Sequence, residues 1–132
     1  MNAESAPPST PYVALGGSEV IGRIVDRFYD LMDTEPQYRP LRAMHAEDLT
    51  PMRVSLAGWL CAWAGGPRDW FEQNPGKCMM SAHRGLRVNH ETATQWADAI
   101  ARAVAECGPA DQALGKAMAE RLELMAQAMA RP

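Results

Sequence analysis

Basic residues are in deficit in this chain of 132 residues. Thirteen Lys and Arg face sixteen Asp and Glu, giving a formal net charge of −3 with histidine neutral. Proteins that bind nucleic acid ordinarily carry a basic excess, so that class is excluded. Cysteine is scarce as well: Cys61, Cys78 and Cys107 are an odd count with no CxxC spacing. Neither a disulfide framework nor a zinc–thiolate site fits, and reduced thiols used for packing are expected. No apolar run approaches the roughly 20 residues of a membrane span, and the N-terminus shows no basic-then-apolar signal pattern. A soluble cytoplasmic protein with no membrane contact is therefore expected. Strand signals are missing too. There is no sustained alternation of β-branched and polar residues and no Asn-Gly hairpin turn.

What remains is helix. Hydrophobic residues make up 47% and charged residues 22%, the balance of an ordinary globular chain. The length suits one domain, assigned to 12–132. Residues 1–11, with Pro7, Pro8, Pro11 and small polar neighbours, are read as a disordered arm. After Gly16-Gly17, Ser18 is expected to cap a helix with Ile21, Ile24, Val25, Phe28 and Met32 on one face. Pro36 and Pro40 leave room only for short helical pieces. Thr50-Pro51 predicts a capped helix start, followed by Met52, Leu56, Trp59, Leu60 and Trp63, and Gly65-Gly66-Pro67 ends it. A long irregular stretch to about Gly76 and a short helix from about Lys77 to His83 are expected next. Asn89 caps a helix with Ala93, Trp96, Ala97, Ile100, Val104 and Cys107 as its stripe, broken by Gly108-Pro109. The last helix carries Leu114, Met118, Leu122, Met125 and Met129.

Groups that could do chemistry are few. The histidines are His45, His83 and His90, and neither HExxH, GxGxxG nor a P-loop is present. Aromatics are only 7%, yet four of them are tryptophan, and there are nine methionines. These side chains fit a large apolar pocket or plain core filling. A single imidazole beside an apolar pocket is one way to hold haem iron. An ordinary helical bundle accounts for the same pattern and is favoured by the pattern alone.

The order of certain residues resembles a known family. Gly16-Gly17 before VIGRIVDRFYDLMD, with the Phe28-Tyr29 pair, is similar to the start of a truncated haemoglobin. MHAEDLT (44–50) resembles the segment after that family's short third helix. LAGWLCAWAGGP (56–67) resembles the end of its distal helix. His83 lies sixteen residues after Pro67, where the proximal histidine belongs, and Trp96 thirteen residues later matches a tryptophan typical of group II. Around His83 the family's arginine-rich run is replaced by PGKCMMSAHRGLRVNHE, keeping only the histidine and the apolar Val88.

The resemblance implies an all-α truncated globin, two helices over two around one b-type haem, with reversible binding of oxygen and other diatomic ligands at ferrous iron. His83 would be the iron ligand, with His90 solvated. Tyr29 and Trp96 would face the distal side as hydrogen-bond donors. His45 could donate to the ligand, ligate iron in the ligand-free state, or only cover the haem edge. Phe28, Met52, Leu56, Met79 and Val88 would contact the cofactor, Arg87 would too, and Lys77, Arg84 and Arg87 are the candidates for its propionates. For Tyr29, Trp96 and Met52 the alternative is ordinary core packing. Two other functions share these residues. One is a redox enzyme using nitric oxide or peroxide with a reductase partner, and the other is a haem-free helical interaction module.

Overall fold

The structure, a computed structural model, describes residues 10–75 and 88–130. Seven α-helices and one 3-10 turn make up the described residues, with no strand among them. The all-helical reading therefore holds. No described helix is long and apolar enough to cross a membrane.

The described residues open with a short helix that the sequence pattern did not announce. Helix α1 (Pro11–Leu15) has Pro11 at its first position, and the Thr10 hydroxyl accepts from the Val13 amide at 3.3 Å. Thr10 and Pro11, read as the end of the arm, are thus cap and first turn. Gly16 closes α1 in the left-handed region, with φ 108°. A Cβ there would collide with a Val20 methyl, so glycine alone makes this corner. Helix α2 (Gly17–Thr34) starts directly from it, with Gly16 as its cap. Ser18, expected as the cap, lies inside the first turn, and its amide donates to the Tyr12 hydroxyl at 3.1 Å.

Helix α2 is the centre of the core. Its Ile21, Ile24, Val25, Phe28, Tyr29, Leu31 and Met32 are all buried, as the one-face spacing predicted for most of them. Burying each large apolar side chain contributes about 1.5–3 kcal/mol. Pro36 and Pro40 confine the next segment to a 3-10 turn (Pro36–Tyr38) and helix α3 (Arg39–Arg42). Helix α4 (Thr50–Trp63) follows. Thr50 does not cap it. Leu49 takes that position, and Asp48 accepts from the Thr50 amide at 3.0 Å. This amide donation holds the Asp48 carboxyl below its usual value.

The turn after α4 is built for close approach. The Tyr12 amide donates to the Ala64 carbonyl at 2.8 Å, and a Cβ on Gly66 would collide with the Tyr12 ring. The stretch from Gly65 onward is less irregular than expected, because Asp69–Gln73 forms helix α5. Trp70 anchors it, buried against α4 with its indole nitrogen donating to Ser55 Oγ at 3.0 Å. Tertiary docking of one large side chain supplies what no local periodicity in five residues could show.

Helix α6 (His90–Cys107) has a full capping box, Asn89 accepting from Thr92 while Thr92 accepts from Asn89. Gly108 ends it. Helix α7 (Gln112–Met129) is capped by Asp111. Helix α2 packs against α4 and α6, and α6 packs against α7. The helix expected from about Lys77 to His83 lies outside the described residues.

Candidate functional site

A cavity of about 370 Å³ lies among α2, α3, α4, α5, α6 and α7. That is within the range of a small-molecule or cofactor site. Its walls are mainly apolar, with Leu41, Met44, Met52, Leu56, Trp59 and Met125 prominent. Tyr29 from α2, His45 from the turn after α3 and Trp96 from α6 bring polar groups to this wall, while those of Ser55, Trp70 and Thr92, which also line it, are engaged in hydrogen bonds to one another or to Asn89.

An aromatic chain holds Tyr29, His45 and Trp96 in place. Phe28 is fully buried and packs edge-on against Tyr29 on one side, with ring centres 4.8 Å apart, and against Trp96 on the other at 5.4 Å. Tyr29 in turn meets the His45 ring at 6.0 Å and 77°. Phe28, expected to touch a cofactor, does not line the cavity. It sits behind both donors, because consecutive residues on a helix point about 100° apart and only Tyr29 faces inward.

The polar atoms are informative. Tyr29 is 3% exposed, and no buried polar side-chain atom among the described residues lacks a partner. The Tyr29 hydroxyl has no hydrogen bond to a described residue, so its small exposure is to the cavity. Burial pushes its pKa up to about 12, against a smaller downward pull from the Arg53 charge. It is therefore a neutral donor at physiological pH. The Trp96 indole N–H is likewise without a described partner. His45 differs: its Nδ1 lies 2.9 Å from the Leu41 carbonyl oxygen. A carbonyl only accepts, so Nδ1 carries the proton and the neutral ring keeps its lone pair on Nε2.

The His45 turn is held by Arg42. Its guanidinium pairs with Asp33 at 2.9 Å and donates to the carbonyl oxygens of Ala46 and Glu47, each at 2.9 Å. Further back, Gln95 accepts from the Leu41 amide, and Tyr38 donates to Asp98. Both contacts tie this segment to α6. No group of three or more His, Cys, Asp or Glu among the described residues could hold a bare metal ion.

The comparisons with known proteins agree with this architecture. The family model for bacterial-like globins matches residues 10–131. The chain belongs to the bacterial-like globin family. It also resembles solved truncated haemoglobins throughout its length. A group II 2-on-2 hemoglobin from Agrobacterium tumefaciens is 26% identical, with 96% of this chain and 98% of that one covered and a TM-score of 0.89. The group II truncated hemoglobin of Bacillus anthracis is 26% identical over 96% of this chain and 94% of its own, at TM-score 0.84. A thermostable hemoglobin from Thermobifida fusca is 31% identical over 93% and 98%, at TM-score 0.80. No curated protein matches the sequence. The globin is similar to truncated haemoglobins of the group II type, and membership of the bacterial-like globin family implies haem.

The sequence-derived residues fall into three groups in this globin. Tyr29, His45, Met52, Leu56, Val88 and Trp96 all line the one cavity. Met52 is at its rim, 39% exposed. Phe28 stands behind the wall, and His90 lies away from it, its Nδ1 3.1 Å from Gln127 Oε1. Met79, His83 and Arg87, with Lys77 and Arg84, lie outside the described residues. The sequence reading missed Leu41, Met44, Trp70 and the α7 residues Met125 and Met129 as lining groups. For Met125 and Met129 the signal was present, since both were already on the stripe of the last helix.

The residues present fit a haem. The cavity has apolar walls, a buried tyrosine and a half-buried tryptophan whose donors have no described partner, and an imidazole whose Nδ1 is bonded to Leu41. A cavity meant to stay dry core would leave no donor unpaired in it.

Proposed function

We propose that this globin binds oxygen reversibly at a b-type haem, with His83 as the iron ligand and Tyr29 and Trp96 as the donors to the bound gas. A bound haem would supply ferrous iron able to take a diatomic ligand. The observation that carries the reading is the pair of unpartnered donors, the Tyr29 hydroxyl and the Trp96 indole, on one apolar wall.

The protein's own residues do the rest. Leu41, Met44, Leu56 and Trp59 give a macrocycle apolar surface and keep bulk water out. Low polarity around the site strengthens each hydrogen bond made inside it. Tyr29 and Trp96 stabilise partial negative charge on a diatomic ligand, each by donation. Phe28 fixes the angle between them. Met52, apolar and at the rim, controls access by bulk and makes no hydrogen bond. Carbon monoxide and nitric oxide are ligands of the same kind.

The test is direct. Protein purified with haem available should show the intense violet absorption of a haem protein, and His83→Ala should lose most of the bound haem while His90→Ala keeps it. Loss with His90→Ala and retention with His83→Ala would move the iron ligand to His90. A chain that takes up no haem would return the reading to a helical interaction module.

A further inference from the structure

Arg53 follows Met52 on α4 and turns to the other side of the helix, toward α2. Its Nη1 donates to both the Asp26 carbonyl oxygen at 3.1 Å and Asp26 Oδ1 at 3.2 Å, and its Nη2 donates to Asp30 Oδ1 at 2.8 Å. Asp26 and Asp30 flank Tyr29 in sequence, three before and one after. The guanidinium carbon stands 5.8 Å from the centre of the Tyr29 ring. That is within the distance at which a cation interacts with an aromatic face.

Stability alone is a weak account of this clamp. The Asp26 and Asp30 side chains are 65% and 54% exposed, and pairs so exposed contribute little. Geometry is a better one. Phe28, His45 and Arg53 contact the same ring, and only Arg53 brings a fixed charge. Its planar fork is held at three points, so it cannot drift as a lysine would.

We infer that Arg53 is a positioning residue for Tyr29: it holds the ring with the hydroxyl toward the cavity and, by its charge, makes the phenol a stronger donor to a bound diatomic ligand. The inference rests on the oxygen-binding reading above. The direction of its electrostatic part agrees with the downward pull of Arg53 on the Tyr29 proton.

The experiment is a double-mutant cycle on the haem-loaded protein. Oxygen dissociation is measured in wild type, Arg53→Gln, Tyr29→Phe and the double variant. Arg53→Gln should speed oxygen release roughly threefold to tenfold and leave carbon monoxide release within about twofold. The oxygen effect should vanish in the Tyr29→Phe background. Arg53→Lys, which keeps the charge, should recover part of it. A second readout is the Tyr29 Cζ resonance in carbon-monoxide-saturated protein, identified by its loss in Tyr29→Phe. It should move in Arg53→Gln and return partway in Arg53→Lys. An equal acceleration with and without the Tyr29 hydroxyl, or an unmoved resonance, overturns the inference and leaves the oxygen-binding reading standing. Wild-type protein that holds no haem overturns both.

Discussion

The Nδ1 of His45 lies 2.9 Å from the carbonyl oxygen of Leu41, four residues earlier in the same turn. This contact places the proton of the neutral ring on Nδ1. His45 is also in contact with the Tyr29 ring on the cavity wall. An imidazole ordinarily changes charge across about pH 5 to 8, so oxygen release should depend on pH in that window. His45→Phe should flatten that profile. A profile with the same slope after His45→Phe would place the titrating group elsewhere.

Tyr29 should dominate the pocket's discrimination between ligands. A hydrogen bond to a partly charged partner is worth about 1.5–3 kcal/mol. At 1.4 kcal/mol per tenfold, Tyr29→Phe should raise the oxygen dissociation rate roughly 10–150-fold. Carbon monoxide takes up much less negative charge, so its release should change by only a few-fold. Stopped-flow displacement of each gas measures both. Oxygen release within twofold of wild type would remove Tyr29 as the principal donor.

Trp96 and Phe28 separate donation from packing. Trp96→Phe keeps an aromatic ring near Phe28 but removes the indole N–H, so oxygen release should rise about twofold to tenfold. Thermal stability should change little, since Trp96 is only half-buried. Phe28→Ala is the converse. Phe28 is fully buried between the two donors, and deleting it should cost about 3–5 kcal/mol. Chemical denaturation should show that loss. If Trp96→Phe instead destabilises the fold and leaves oxygen release alone, the indole is core.

The long helices could be read from the chain because each buries one continuous face. Ile21, Ile24, Val25, Phe28 and Met32 share a face of α2, and Asn89 caps α6 as its position before the apolar stripe requires. What could not be read depended on contacts distant in sequence. Helix α5 exists because Trp70 docks on Ser55, and Pro11–Leu15 because Tyr12 reaches Ala64 and Gly66. Ser18 and Thr50 have the right side chains for caps, yet backbone geometry at Gly16 and Leu49 took that place. The site divides in the same way. Tyr29, His45 and Trp96 were identifiable from their order along the chain, while the tautomer of His45, the place of Phe28 behind the wall and the reach of Arg53 belong to the packed structure alone.

The Tyr29 phenol also predicts how the fold behaves in alkali. An exposed phenol has a pKa near 10, and burial in this structure raises that of Tyr29 to about 12. A folded pKa above the unfolded one means the unfolded chain gives up its proton first. The stabilisation is therefore fully present below about pH 10, falls as pH rises beyond it, and is gone once pH passes about 12. A rise of that size corresponds to about 3 kcal/mol lost over the window. Urea midpoints measured from pH 8 to 11.5 should fall more steeply above pH 10 in wild type than in Tyr29→Phe, which has no proton to lose at this position. Arg102 and Asp98 face Tyr38, whose pKa is also raised, chiefly by burial, so Tyr38 contributes a similar decline in both proteins. Comparing the two slopes isolates Tyr29. Equal slopes above pH 10 would mean that the Tyr29 hydroxyl is as well solvated as in the unfolded chain, and the dry, donor-lined wall would have to be abandoned with it.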